Sequence, residues 1–256
     1  MPNFLPVILL LCITLIAGCG SISKGITEAI IEKQDSEDTR ICEVRGQTFY
    51  GLKKQLEHAD RKMKVLMVHG VGHHLPGYST QFMEKLTKQL GLPVMAKNQK
   101  NIYLSDPKNP DNKLGHLRIN RFLSAQRDQE LLFYELSWSE ITAKDKEILS
   151  YDNSGEQSFR RAEVNDLLKK FSNDTGPDPI IYLGEKRESI LVSFAQSFCW
   201  MISHDWQSLP DDQQAVCSSK NVAPLMSDSY AFVSHSLGSR ITIDGLQRIA
   251  SIIGNG

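Results

Sequence analysis

Residues 230–239, YAFVSHSLGS, decide the fold that we predict for this chain. The apolar residues 230–233 have the composition of a buried strand, and residues 237–253 have apolar side chains at helical spacing. Only a short segment joins the two, so the turn between them must be sharp. Ser234 and Gly238 flank Ser236 and are small enough for such a turn, whereas bulky side chains would clash with the neighbouring strand and helix. The pattern predicts a strand, a tight turn that presents Ser236, and a helix.

A second strand–loop junction lies upstream, where the apolar residues 64–68 end at the sequence HGVG of residues 69–72. Apolar spacing and turn residues predict the other elements: a strand pair at 42–50, a helix at 78–90, a strand near 102–104, two strands at 116–122 and 131–138 joined by a polar turn, and mostly helical structure at 139–215, with helices at 156–171 and 186–203 separated by a break at 173–179. Strands alternating with helices predict an α/β fold with a mainly parallel sheet flanked by helices.

The two motifs resemble those of the α/β-hydrolase family. Residues 65–72, VLMVHGVG, are similar to its oxyanion strand and loop, and residues 231–239, AFVSHSLGS, are similar to its nucleophile elbow, although the elbow usually has glycine where this chain has Ser234. The segment at 177–203 is also similar to bacterial hydrolases of this family. The resemblance covers roughly residues 64–253 and includes a helical insertion at about 140–225, which we expect to cover the site as a lid.

Membership of that family implies a serine esterase or lipase that acts on acyl esters. Ser236 would be the nucleophile, and the backbone N–H groups of Val71 and Leu237 would form the oxyanion hole that binds the negative charge on the carbonyl oxygen. No cofactor is implied, because serine acyl transfer supplies its own chemistry. A peptidase would use the same Ser236 machinery, and the sequence does not separate the two.

The acid and the base of a catalytic triad are missing from the places where the family has them. Both follow the nucleophile in that family, but here no histidine follows His235, and the only later acid, Asp244, is expected to point away from Ser236. The chain ends 20 residues after Ser236, as the predicted helix finishes. We therefore expect a domain at residues 42–256 that is incomplete at its C-terminus and, because a serine hydroxyl without a base is a poor nucleophile, inactive or nearly so.

Histidines that precede Ser236 in the chain are alternative candidates for the missing base. His73 and His74 lie beside the glycine-rich loop and are candidates for a base, and so is His204, next to Asp205 in the insertion. His69 is expected to hold the loop as a scaffold residue, and His235 is expected to point away from its neighbour. No metal site is predicted, because no cysteine or carboxylate stands at ligand spacing from the histidines of the loop.

The N-terminus resembles a bacterial lipoprotein signal peptide. Residues 4–16 carry no charge, but they are too few to span a bilayer comfortably, which takes about 20 apolar residues. The following sequence, LIAGC at 15–19, resembles a lipobox, although no Lys or Arg precedes the apolar run. The resemblance implies a signal peptide at 1–18, a lipid-modified Cys19, a membrane tether at 19–41 and, from Gly20, the outer membrane facing the periplasm. The alternative is a signal-anchor helix with a chance cysteine.

The net charge limits the classes of molecule that the chain can bind, and the cysteine content limits the disulfides that it can form. With 29 basic and 30 acidic residues, the chain has no excess positive charge to bind nucleic acid. The expected partners are instead the membrane, through the anchor at Cys19, and an ester-type small molecule or lipid. Three cysteines remain if residues 1–18, which include Cys12, are removed and Cys19 carries lipid. Cys199 with Cys217 is the pair that we favour for a disulfide over two buried thiols. A non-catalytic envelope lipoprotein that uses this fold for binding is the alternative function.

Overall fold

The structure, a computed structural model, describes residues 42–44, 46–49, 51–57, 62–150, 163–218 and 224–254. The chain divides into two compact units, Met1–Tyr50 and Gly51–Gly256. The described part of the first unit is a pair of antiparallel strands, β1 (Cys42–Val44) and β2 (Gln47–Phe49), which confirms the strand pair predicted there. Cys19 and the rest of the predicted signal peptide and tether lie outside the described residues.

The second unit contains a seven-stranded sheet with the order β8–β5–β6–β7–β3–β9, and β4 pairs with β6. Its strands are β3 (Met63–Val68), β4 (Val94–Met95), β5 (Lys100–Ser105), β6 (Lys113–Leu123), β7 (Glu130–Ser137), β8 (Gln213–Ala215) and β9 (Ser229–Ser234). The sheet is mixed: β3 is parallel to β7 and β9, and β5 is parallel to β8, whereas β6 is antiparallel to all its neighbours. Because short loops join β5, β6 and β7, these strands can only pair antiparallel.

Helices connect and cover the strands, which confirms the α/β class. They are α1 (Gly51–Leu56), α2 (Thr80–Leu90), α3 (Glu140–Ser150), α4 (Glu163–Thr175), α5 (Pro177–Leu183), α6 (Arg187–Ser203), α7 (Pro224–Ser227) and α8 (Leu237–Gly254). The helices predicted at 78–90, 186–203 and 237–253 correspond to α2, α6 and α8. The break predicted at 173–179 is only the single residue Gly176 between α4 and α5, and β8 was not predicted. No helix among the described residues is both long and apolar enough to cross a bilayer.

The sheet separates two hydrophobic clusters. One contains Met63, Val65 and Met67 of β3 with residues of α1 and α2, and the other contains Leu66 and Val68 of β3 with residues of α6 and α8. The strand can serve both clusters because successive side chains of a strand point to opposite faces. Helix α2, which follows β3, and helix α8, which follows the adjacent parallel strand β9, therefore cover opposite faces. Where the helices that follow two adjacent parallel strands cover opposite faces, α/β proteins bind ligands in a crevice at the carboxyl ends of those strands, so we expect a crevice at the ends of β3 and β9.

Helix α6 is part of the core rather than a lid. It is apolar on most sides, and Phe194 and Phe198 pack against Phe232 of β9 with ring centroids 6.1 and 6.0 Å apart. The Ser193 hydroxyl donates to the Leu114 carbonyl of the sheet at 2.6 Å. The expectation that the insertion covers the site as a lid is therefore wrong for this helix, because a helix that is hydrophobic all round is stable only when it is buried.

The two edges of the sheet differ. Near β8, a disulfide joins Cys199 of α6 to Cys217, with the Cα atoms 6.0 Å apart, which confirms the predicted pair. The Gln196 side chain adds a second tie there, because its Oε1 accepts the Cys217 N–H at 2.6 Å. At the other edge, within the part of the chain that the structure describes, β9 pairs on one side only, with β3. One edge is thus held covalently to the core, and the other is open.

Candidate active site

Ser236 lies at the junction of β9 and α8, as the sequence predicts. Its φ angle is 52°, in the left-handed region, and among the described residues only Arg127 and Asp212 are other non-glycine residues with positive φ. Ser236 is exposed, and its hydroxyl has no hydrogen-bond partner among the described residues. A left-handed conformation costs an L-residue about 1–2 kcal/mol, so its presence in this turn reflects a strong constraint from the flanking strand and helix.

The two sequence motifs meet at two glycines. A Cβ atom added to Gly70 would lie 2.8 Å from the Ser236 Cβ and 3.0 Å from the His235 Nδ1. A Cβ atom added to Gly238 would lie 2.5 Å from the Val68 carbonyl oxygen. The distances of 2.8 and 2.5 Å are too short for a Cβ atom, so only glycine fits at either position unless a neighbour shifts. The loop after β3 and the turn after β9 are therefore in direct backbone contact, and Ser236 stands beside the loop at 69–72.

The two backbone donors predicted for the oxyanion hole are both unused. Neither the Val71 N–H nor the Leu237 N–H has a hydrogen-bond acceptor among the described residues. Leu237 is the first residue of α8, where N–H groups have no partner inside the helix and the helix dipole favours negative charge. The next N–H along each segment is occupied: Gly72 donates to Asp178 Oδ2 at 2.6 Å, and Gly238 donates to the His235 carbonyl at 3.0 Å.

His69 holds the loop from inside. It is buried, its Nδ1–H donates to the Gly70 carbonyl at 2.8 Å, and its Nε2 accepts the Trp138 N–H at 3.1 Å. The Trp138 indole stacks on the imidazole at 4.8 Å between centroids and donates to the His69 carbonyl at 3.0 Å. Burial lowers the pKa of His69 to about 3, so the ring is neutral in one tautomer. These contacts confirm the predicted scaffold role.

None of the other histidines hydrogen-bonds Ser236 in the described structure. The His74 Nε2–H donates to the Val71 carbonyl at 3.2 Å, and burial lowers the pKa of His74. The His235 ring lies closer than expected, against Gly70 beside the Ser236 Cβ and 6.3 Å from His74 between centroids. His73 is exposed.

The more distant candidates are excluded by position. The His204 carbonyl accepts a hydrogen bond from Lys64 at 3.1 Å, near the start of β3 and hence at the opposite end of the strand from the crevice. Asp244 accepts hydrogen bonds from Tyr182 and Arg187, both at 2.8 Å, and its carboxylate faces α5 and α6 as expected, away from Ser236. In the part of the chain that the structure describes, no group of three His, Cys, Asp or Glu side chains is arranged to hold a metal ion.

Sequence reasoning missed an acidic cluster that contacts the loop. Asp178 is fully buried and accepts hydrogen bonds from the Gly72 N–H at 2.6 Å and from Thr142 at 2.9 Å. Lys146 Nζ lies 3.0 Å from the Asp178 carboxylate, and Asp174 accepts the His73 N–H at 3.0 Å. The sequence PDP at 177–179 is typical of a helix start. It carries no signal for a partner 106 residues away in the chain.

Comparisons with known proteins give no family for this chain. No protein-family model matches it, and searches of the curated proteins and of the solved structures find no match either. The α/β-hydrolase hypothesis therefore depends on the two motifs and on the geometry that they adopt.

Proposed function

We propose that this chain is a lipid-anchored serine hydrolase with an α/β-hydrolase fold, an esterase or lipase that acts on acyl esters through Ser236. The observation that carries the proposal is the left-handed Ser236 between β9 and α8, in contact with the glycine-rich loop after β3. The crevice at the carboxyl ends of β3 and β9 is the usual ligand position in such sheets.

The chemistry needs two things that the described residues offer. The Ser236 oxygen would attack the ester carbonyl carbon, the new C–O bond would place negative charge on the carbonyl oxygen, and the alcohol would leave with the proton that Ser236 lost. The Val71 and Leu237 N–H groups, both unused, would stabilise that charge. One such donor is worth roughly 3–4 kcal/mol in known serine hydrolases. Water would then release the acid from the serine ester.

A general base is the third requirement, and no described side chain accepts a hydrogen bond from Ser236. We therefore expect the 256-residue chain to react slowly, at a rate set by hydroxide rather than by a histidine. The same observation favours the alternative, a non-catalytic envelope lipoprotein that uses the crevice only for binding. The two proposals differ in whether Ser236 is more reactive than an ordinary serine.

Reaction with a fluorophosphonate tests this difference. The full chain in detergent is treated with the probe at pH 7 and pH 9, and the modified residue is identified by mass spectrometry. We expect labelling of Ser236 that is about a hundredfold faster at pH 9, because the alkoxide fraction rises tenfold per pH unit. Ser236→Ala should abolish this labelling, and Ser239→Ala, in the first turn of α8, should retain it. Labelling that is fast at pH 7 would show a general base and contradict the expected inactivity. No label on Ser236 at pH 9 would favour the binding protein.

The membrane anchor is a separate part of the proposal. The Cys199–Cys217 disulfide supports an oxidising compartment such as the periplasm, since cytosolic thiols are kept reduced. Growth of an expressing bacterium with an alkyne fatty acid should label the protein through Cys19. Cys19→Ser should lose the label, whereas Cys12→Ser, in the same N-terminal segment, should keep it. A protein without label would show that the anchor is wrong and leave the Ser236 site unaffected.

A further inference from the structure

We propose that Asp178 is a positioning residue, which fixes the loop at 69–74 so that Val71 presents its N–H to the crevice. The inference rests on the proposed function, because it assigns a task to the loop beside Ser236. It also goes beyond that function, since it gives the helices α3 to α5 a role in the site. Those helices would act as a brace on the loop rather than as a cover over the substrate.

The backbone hydrogen bonds of the loop carry the argument. Of the four N–H groups at 71–74, Gly72 donates to Asp178, His73 donates to Asp174, and His74 donates to the Ser139 hydroxyl at 3.2 Å. Only the Val71 N–H is left without an acceptor among the described residues. Successive backbone N–H groups that point the same way form an anion site, so the side chains that occupy three of them decide which one remains for a ligand.

Asp178 and His74 fix the central peptide unit of this loop, one at each end. The Val71–Gly72 peptide donates its N–H to Asp178 at 2.6 Å, and its carbonyl accepts from the His74 Nε2–H at 3.2 Å. With both polar groups bound, this peptide cannot rotate without breaking two hydrogen bonds. Gly72 has a φ of 93°, a conformation that other residues rarely adopt, so the peptide is held in an unusual orientation. The Val71 N–H belongs to the neighbouring Gly70–Val71 peptide, whose carbonyl accepts from the His69 Nδ1–H at 2.8 Å, so His69 and Asp178 together fix the two successive peptides on either side of Val71.

The Asp178 carboxylate is itself held in place by two side chains of α3. Thr142 and Lys146 lie one turn apart on the same face of α3 and converge on Asp178, at 2.9 and 3.0 Å. The Asp178 side chain is completely buried, and Lys146 is largely buried, so neither can leave without uncovering the other. Asp174 makes the weaker of the two acidic contacts with the loop, because its side chain is 43% exposed. The brace therefore depends mainly on Asp178.

Asp178→Asn tests the role, because the amide keeps the size of the carboxylate but has one acceptor oxygen instead of two. We expect hydrogen exchange at Gly72 and its neighbours to become at least tenfold faster, and the labelling of Ser236 at pH 9 to become at least tenfold slower. Asp166→Asn is the matched control on α4, where the carboxylate pairs with Lys170 at 2.7 Å, and we expect it to change labelling less than threefold. Unchanged exchange at Gly72 in Asp178→Asn would overturn the inference.

A second variant separates positioning from stability. Asp178→Asn removes the closer ion-pair partner of the largely buried Lys146 and leaves it the partly exposed Asp174 carboxylate at 3.4 Å, which lowers stability whether or not the loop matters. In the double variant Asp178→Asn/Lys146→Met that charge is gone. We expect its unfolding midpoint to recover most of the loss while the labelling of Ser236 stays slow. If labelling recovers together with the midpoint, Asp178 acts only through stability and the inference is overturned.

The same experiments distinguish this inference from the proposed function. If the wild-type chain shows no label on Ser236, the function fails, whereas faster exchange at residues 70–74 in Asp178→Asn would still support the positioning of the loop. If Ser236 is labelled equally fast in wild type and Asp178→Asn, the function stands and the positioning role is refuted.

Discussion

Replacing Ser236 with glycine should stabilise the protein, and replacing it with alanine should not. Ser236 has a φ of 52°, and its side chain makes no hydrogen bond among the described residues. Alanine has a Cβ atom, so it remains strained in this conformation, whereas glycine adopts positive φ freely. The sign of the difference between the two variants therefore reports the backbone conformation of the turn.

The magnitude follows from two opposing terms. Relief of the left-handed conformation contributes about 1–2 kcal/mol. The greater freedom of glycine in the unfolded chain removes roughly 0.5–1 kcal/mol of this gain. We expect Ser236→Gly to be about 0.5–1 kcal/mol more stable than Ser236→Ala, which raises the midpoint of thermal unfolding by roughly 1–4 °C in a domain of this size.

Thermal unfolding followed by circular dichroism measures this difference, and Ser172 provides the control. Ser172 is exposed in the ordinary helix α4, where glycine is less favourable than alanine by about 1 kcal/mol. The order of the two variants should therefore be opposite at the two positions. If Ser236→Gly is less stable than Ser236→Ala, as at Ser172, then Ser236 is not left-handed, and the observation that carries the proposed function is refuted.

Three further predictions concern the turn before α8, the buried histidine and the disulfide. Gly238→Ala should lower stability by about 1–3 kcal/mol in urea unfolding, because its Cβ would lie 2.5 Å from the Val68 carbonyl oxygen. His69 has a pKa of about 3 when folded and 6.5 when unfolded, so its contribution to stability is complete above pH 6.5 and should fall by about 2 kcal/mol from pH 7 to pH 5. Reduction of Cys199–Cys217, which are 18 residues apart, should cost about 3 kcal/mol in thermal unfolding.

Each of these predictions has its own control. Gly184→Ala should be nearly neutral, because nothing lies closer than 3.4 Å to its added Cβ, and an equal effect at both glycines would contradict the close approach. The imidazole of His69 should remain neutral by NMR down to about pH 4, and protonation near pH 6 would contradict its burial. The variant Cys199→Ser/Cys217→Ser should be insensitive to reductant. If wild type is also insensitive, the disulfide does not form.

The contact between the two motifs was predictable because it is encoded locally. Gly238 is required by the close approach of the β3 backbone and Gly70 by the side chains of His235 and Ser236, and each glycine follows closely on a buried strand that the apolar pattern reveals. The scaffold role of His69 was predictable for the same reason, since its partners are the loop itself and the end of β7. Short-range patterns of this kind can be recognised in the sequence without knowing which segment packs against them.

Other features depend on contacts that a pattern does not contain. The position of α6 before β9 favours a lid by family resemblance, but its nearly continuous apolar sequence is typical of a core helix, and the core is where the structure has it. The antiparallel pairs of β6 follow from its short loops, which outweigh the alternation of strands and helices elsewhere. Asp178 is the clearest example of a contact that the sequence does not predict. A polar residue at the start of a helix is ordinary, and only the hydrogen bond from Gly72 shows that Asp178 contacts the loop.

The difference between the two edges of the sheet has a consequence for how the molecule opens. The β8 edge is joined to the core helix α6 by the Cys199–Cys217 disulfide, so thermal fluctuations of this edge must move α6 as well. Strand β9 has hydrogen bonds on one side only in the described structure, and strands of that kind are the first to separate from a sheet and the first to join a foreign strand. Opening should therefore begin at β9, the strand that leads into the turn of Ser236. The surroundings of Ser236 would then report the earliest unfolding event, and a partner that binds along β9 would stabilise this turn without contacting it.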